Sequence, residues 1–334
     1  MPHLYVATNG LSIWHSPDLG ETLTRMPTST GLYSGSRVWA FAESPKGLLI
    51  GTDSGIYRWE PQTSKFVPLP APTDCQVVTA LAVKPDNPDV ILAGTQPGAI
   101  YRSEDGGENW VNLNLPFKPH VSSGFRDDPV MAAKPNRPIA RHWTRVTQIV
   151  FDPHDSNAVF AGVEIDGAWR SLDGGKTWKR ISNGFKTEDI HGLAIVRNGS
   201  RLVFATSNRG LYATRNDGDS WEQIMLDSPW QYTRSIVQSS DESPVMFVTN
   251  GEGSPGVAGR VYRSEDYGKT WKDVKLPGEV ESSVYFLAVH PTDPNLVFAA
   301  ATLGQLYRST DGGKNWTVIK RRINEIRALA WLPN

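Results

Sequence analysis

The sequence predicts an all-β fold, a seven-bladed β-propeller of four-stranded antiparallel blades. Three observations predict it. A fragment running aromatic, Ser or Thr, Asp, Gly and Trp recurs along the chain: YRSEDGGENW at 101–110, WRSLDGGKTW at 169–178, YATRNDGDSW at 212–221, YRSEDYGKTW at 262–271 and YRSTDGGKNW at 307–316. Before each copy lie short runs rich in Val, Ile, Leu, Phe and Tyr, separated by Asp, Asn, Pro and Gly, which is the pattern of strands joined by tight turns. The two ends of the chain also read as parts of one unit. A unit of this size cannot bury its apolar face alone and must stack on copies of itself.

Taken in order, the first unit opens on LYVATNG, which matches second-strand segments such as VILAGT at 90–95. It continues through IWHSPDLGETL at 13–23, which keeps Ser16, Asp18 and Gly20 but places Leu23 where Trp is expected. In the second unit, GIYRWEPQTSKF at 55–66 keeps only the strand pattern and a terminal Phe66. The five full copies follow, with their hydroxyl residues at Ser103, Ser171, Thr214, Ser264 and Ser309. Three intervals are 43, 50 and 45 residues, the length of a four-stranded blade. The interval of 68 between Ser103 and Ser171 holds an insertion, at about 114–143, between the third and fourth blades. In the last unit, SVYFLAVHP, LVFAAT, LYRST and NWTVI are the four strands, and Asp311, Gly312 and Gly313 make the final turn. RALAWLP at 327–333 then matches the inner strand TALAVKP at 79–85 and supplies the inner strand missing from the first blade. Residues 1–334 are one domain, a ring closed by its own ends with no free sheet edge at the seam.

The five fragments are Asp-box (BNR) repeats, and the chain resembles the Asp-box β-propellers, a group that includes sialidases, sortilin-type receptors and photosystem assembly factors. The resemblance covers nearly the whole chain. It implies the fold and leaves the function open, because the box is a structural hairpin shared by enzymes and binding proteins.

Composition excludes several classes. Net charge is −1, with 34 basic and 35 acidic residues, so no global field points to nucleic acid or a membrane surface. Cys75 is the sole cysteine, so no intrachain disulfide can form. The N-terminal MPHLYVATNG has no charged-then-apolar leader and no apolar run approaches a membrane span, which gives a cytoplasmic location as the expectation.

Turns of a four-stranded meander alternate between two faces, and the Asp boxes share one of them. The irregular length lies on the other: the 114–143 insertion and the enlarged turn NGEGSPGVAGR at 250–260. The inner strands open onto that face beside the central channel. Aligned there, they give the pairs Arg37/Trp39, Val77/Thr79, Arg145/Thr147, Asp189/His191, Tyr232/Arg234, Ser283/Tyr285 and Glu325/Arg327. The next same-side residues are Phe41, Leu81, Ile149, Leu193, Ile236, Leu287 and Leu329. Each inner strand is therefore apolar at depth and, in most blades, charged or aromatic at its mouth. Nearby turns add Asp53, Glu164, Asp166, Arg209 and Glu252, and the insertion adds His142.

Such a ring is expected to hold a small anionic molecule. Arginine suits bidentate contact with carboxylate or phosphate, and Trp39, Tyr232 and Tyr285 give apolar walls. The competing reading makes the same charges rim ion pairs with no ligand. For catalysis, His191 with Asp189, or Glu164 with Asp166, would supply an acid/base pair for a hydrolase or lyase. The resemblance to sialidases implies a glycosidase-like chemistry with an arginine triad, a Tyr nucleophile with a Glu partner, and an Asp acid, parts that Arg37, Arg145, Arg234 or Arg327, Tyr232 or Tyr285, Glu325 or Glu164, and Asp53 or Asp189 could supply. Two departures weigh against it: the Phe/Tyr-Arg-Ile/Leu-Pro motif is absent, Arg137-Pro138-Ile139 not being a match, and sialidases have six blades. No His-x-His or His-x3-His spacing indicates a metal, the paired glycines are hairpin residues rather than a phosphate loop, and no cofactor is expected. The alternative to an enzyme is a non-catalytic assembly scaffold, with a protein partner taken by the 114–143 insertion. An enzyme is favoured, because titratable and aromatic groups converge where a scaffold needs none.

Overall fold

In the computed structural model, residues 3–70, 77–118 and 144–332 are described. They form seven four-stranded antiparallel sheets arranged as blades. The inner strand of the first blade is the C-terminal Ile326–Leu332, paired with the N-terminal His3–Thr8. The other inner strands, blades two to seven, are Val38–Ala42, Val77–Lys84, Arg145–Asp152, Ile190–Asn198, Tyr232–Gln238 and Val284–Val289. Cys75, His142 and most of the 114–143 insertion lie outside the described residues. The near end of the insertion is held against blade four, where Phe117 packs edge-on to Trp169 and Lys118 donates its backbone N–H to Asp166.

The core is a set of interfaces between blades, because strand alternation sends successive side chains to opposite neighbours. In blade four, Val159 and Ala161 join Leu92 and Ile100 of blade three, while Phe160 and Ala158 join Ile190 and Leu193 of blade five. The closing interface is built the same way, from Leu4, Val6 and Trp331 against Phe298 and Ala300 of blade seven.

Each Asp box is a hydrogen-bonded hairpin. In blade three the Ser103 hydroxyl donates to Asp105 (2.8 Å) and accepts from the Gly107 N–H (2.8 Å), and Asp105 accepts from the Asn109 N–H (2.9 Å). Gly106 and Gly107 have φ of +77° and +97°, a region open to glycine at no steric cost. Trp110 donates from its indole to the Gly107 carbonyl (3.0 Å), which pins the ring to the blade.

Boxes also join blades. A third-strand arginine donates to the box carbonyl of the following blade: Arg58 to Gly106, Arg102 to Gly174, Arg170 to Asp217, Arg263 to Gly312 and Arg308 to Leu19.

Candidate functional site

The channel mouth is shaped by a feature that the sequence pattern does not announce. All seven inner strands are bulged at one level, between Val38 and Ala40, Val78 and Ala80, Val146 and Gln148, Ile190 and Gly192, Thr233 and Ile236, Val284 and Phe286, and Ile326 and Ala328. The unpaired residues are Trp39, Thr79, Thr147, His191, Arg234 with Ser235, Tyr285 and Arg327. A bulge bends its strand and re-aims the extra side chain. Here seven bulges aim seven side chains at one ring, and all seven line a central cavity of about 520 Å³ together with Arg145.

Two bulge residues are occupied by architecture. Thr79 and Thr147 donate to the Val146 and Ile190 carbonyls of the following blade, at 2.7 and 2.8 Å. The remaining ones, with Arg145, make the chemistry of the mouth. Arg234 lies 4.5 Å over the Tyr285 ring, and Arg327 and Arg145 lie 4.8 and 5.6 Å from the Trp39 ring. Tyr232 joins this group, its hydroxyl 3.1 Å from that of Tyr285 and 3.4 Å from Arg234 Nη1. Burial pushes the Tyr232 phenol far up, so it stays protonated.

The charges are unevenly paired. Arg145 Nε sits 2.5 Å from Glu164, and Arg327 is 3.8 Å from Glu325. Glu325 also accepts from the Asn9 side chain. Among the described residues no carboxylate lies within 4 Å of Arg234, and the Tyr232 hydroxyl is its one side-chain hydrogen-bond partner. Burial lowers the Arg327 guanidinium, and the nearby Arg145 and Arg234 charges lower it further against the pull of Glu325. Three cations therefore feel one another at one mouth. Trp39 Nε1, Arg327 Nε and Asp189 Oδ1 are buried with no hydrogen-bond partner among the described residues.

His191 is fixed from both sides. Its Nδ1 is 2.6 Å from the Thr233 carbonyl, which can only accept, so this nitrogen carries a proton. Its Nε2 faces Asp189 Oδ2 at 3.3 Å. A second proton taken up by the pair would lie between these two atoms. Burial and the Arg234 charge hold the imidazole below its ordinary range, opposed by Asp189 and Thr233. Burial pushes Asp189 up, but His191, Arg234 and Arg145 outweigh it and keep the carboxyl below the usual value.

Below the mouth the wall is apolar: Phe41, Leu81, Ile149, Ile236, Leu287 and Leu329 line the cavity. Leu193 instead turns into the interface between blades four and five.

The structure brings Trp39, Arg145, Glu164, Asp189, His191, Tyr232, Arg234, Tyr285, Glu325 and Arg327 together. Four other candidates stand elsewhere. Arg37 is exposed and does not line the channel, because the bulge after Val38 turns Trp39 inward in its place. Asp53 accepts from the Tyr33 hydroxyl (2.7 Å) and the Arg37 N–H, closing a loop on the rim. Asp166 is buried in blade four against Arg180 (3.2 Å) and the Lys118 N–H, apart from the Glu164 carboxylate, since the left-handed backbone at Ile165 (φ +69°) breaks the strand alternation that would put the two on one side. Arg209 is exposed beside a peripheral hollow with Lys186 and Met225. Among the described residues no group of three or more His, Cys, Asp or Glu is placed to hold a metal ion.

Comparison with known proteins agrees with this architecture. The BNR/Asp-box repeat model matches residues 169–180, the hairpin of blade four, and the Sortilin-Vps10 model (sortilin, neurotensin receptor 3) matches residues 259–330. The chain thus carries Asp-box hairpins on a seven-bladed β-propeller. A xyloglucanase of Paenibacillus sp is 28% identical over 309 residues, covering 78% of this chain and 28% of the relative. The chain spans about a quarter of the length of the curated relatives it matches. Among solved structures, the Niastella koreensis GH74 enzyme superposes with a TM-score of 0.65 at 22% identity, over 85% of this chain and 45% of that one. YCF48 from Cyanidioschyzon merolae gives 0.56 at 15% identity, over 86% and 87%. At such identities both show the fold alone.

Proposed function

We propose that the channel mouth opposite the Asp boxes binds a small anionic molecule, a sugar bearing a carboxylate, and that the Asp189–His191 pair moves a proton in cleaving its glycosidic bond. One observation carries the reading: Arg234 presents a guanidinium to the channel with no carboxylate within 4 Å among the described residues, beside Arg145 and Arg327. A fork of N–H donors left open in this way suits a carboxylate, which can take two parallel hydrogen bonds. The Trp39 and Tyr285 rings flank the guanidiniums and give flat apolar surfaces for a ring-shaped ligand.

For catalysis, the ligand's glycosidic oxygen would need a proton as its bond to the sugar breaks. The Asp189–His191 pair can give one after taking it up at the Nε2–Oδ2 contact, while a water oxygen adds to the anomeric carbon in place of the leaving oxygen and that water's proton returns to the pair. The likeness to xyloglucanases supports a carbohydrate as the substrate class.

The test is calorimetric titration of the protein with acidic oligosaccharides, such as oligogalacturonides, beside neutral xyloglucan oligosaccharides, with product analysis of each. Saturable binding of the acidic series alone is the expected result. Binding of neither series, or of the neutral series alone, would falsify the anionic reading.

A further inference from the structure

Six of the seven blades press a box glycine onto the preceding blade. A Cβ placed on Gly107 would meet Leu69, on Gly175 Leu92, on Gly218 Ile181, on Gly268 Phe204 and on Gly313 Phe247, each within 3 Å, and one placed on Gly20 would fall 2.6 Å from Ile319 and 3.2 Å from Phe298. The second blade has no box. Its hairpin reads WEPQTSK, with Trp59 at the place of the box hydroxyl and Gln62 and Thr63 at the places of the two turn residues.

The consequence lies in the seam between the first and second blades. There the described residues leave a cleft of about 1060 Å³, lined by His3 and Tyr5 of blade one and by Glu43–Leu48 and Trp59–Gln62 of blade two. Strand register identifies what is missing. Tyr5 pairs with His15 as Phe298 pairs with Arg308 and Leu92 with Arg102. Tyr5 therefore holds the position that a box glycine covers elsewhere. His15 holds the position of the arginine that elsewhere donates to a box carbonyl. With no carbonyl to reach, His15 Nε2 turns to His3 Nδ1, 2.7 Å away, and its ring lies 4.9 Å from that of Tyr5.

We propose that this cleft is a docking site for a tight turn of a partner polypeptide, one that presents a glycine to Tyr5 and a backbone carbonyl to His15. The occupant is argued from the fold itself: the six other seams fill the equivalent place with a glycine turn, and five of them supply the matching arginine–carbonyl bond outright. A residue larger than glycine would meet the Tyr5 ring as Gly313 with a side chain would meet Phe247, at 2.2 Å. This inference is independent of the channel mouth, which opens on the opposite face.

The test uses the full chain and a synthetic peptide carrying the blade-four turn, RSLDGGKTW, closed as a hairpin. Binding is followed by NMR shifts of the His3, His15 and Trp59 ring signals. The expected result is saturable binding that weakens roughly tenfold or more when the second glycine of the peptide is replaced by Val. A chain in which residues 59–66 are replaced by a box, SEDGGKNW, should fold and lose the binding, because it fills the cleft from within. Should that graft not fold, Tyr5→Trp serves instead by filling the cleft from blade one. No saturable shift, a Gly→Val peptide that binds equally well, or a filled-cleft variant that still binds would each overturn the proposal.

Discussion

Replacing Gly94 by Ala tests whether close approach between blades sets the position of the ring. Gly94 lies opposite the bulge of blade three, paired with Ala80. A Cβ there would fall 2.5 Å from Cβ and Cγ1 of Val146, on the inner strand of blade four, and 3.2 Å from Ala80 Cβ. Ordinary carbon contacts are about 3.5–4.0 Å, so Val146 must retreat by about 1 Å. It is fully buried between Arg145 and Thr147, and its movement displaces both. Overpacking of this kind costs about 1–3 kcal/mol. Removing a strand glycine recovers about 0.5–1 kcal/mol, so the net loss spans about 0–2.5 kcal/mol and centres on about 1 kcal/mol. Equilibrium unfolding in guanidinium measures it, with Gly253→Ala as the control, since nothing lies within 4 Å of a Cβ at that position. Gly253→Ala should stay within about 0.5 kcal/mol of the parent. A Gly94→Ala protein as stable as that control would refute the packing argument.

Three further outcomes are expected. Hydrogen bonds from turn residues hold the box carboxyls of Asp105, Asp173 and Asp311 at about 2, against an ordinary 3.8. Their contribution to stability is present above about pH 4 and lost as pH falls toward 2, so the melting temperature should drop across that window and drop less steeply in Asp311→Asn. His191 is depressed in the fold, so the unfolded chain takes up its proton first and stability should decline as pH falls below about 6.5; His191→Gln should flatten that part of a melting-versus-pH curve. Asp152 is fully buried and joins blades four and five through Arg197 (2.9 Å) and Arg201 (2.5 Å). Asp152→Ala should cost about 3 kcal/mol in unfolding free energy, since it strands buried positive charge, and a loss below about 1 kcal/mol would show that Asp155 and Asp217 suffice for Arg201.

The architecture was legible because the box hairpin is local. Its turn needs Ser, Asp and Gly at fixed offsets, so five copies could be laid in register and the ends matched. The mouth was legible only to the level of which strand ends face it. Bulges depend on pairing with the second strand, and nothing in VWAFA or YTRSIVQ marks the extra residue. Thus Trp39 rather than Arg37 turns inward, and Thr79 and Thr147 prove to be ties between blades. Asp166 and Arg209 fall outside the ring because turn residues two apart in sequence need not share a direction. The sequence showed only a weak repeat at 55–66, and the cleft beside Tyr5 emerges from packing where the missing turn would lie.

The central claim is that Arg234 is an anion site waiting for its partner. It is tested most directly by calorimetry of the acidic oligosaccharide on the parent chain and on Arg234→Met, which keeps much of the side-chain bulk over Tyr285. The account predicts equal melting temperatures and a roughly tenfold or greater loss of affinity, the effect of one charge-assisted hydrogen bond. Equal affinity in the two proteins would contradict it.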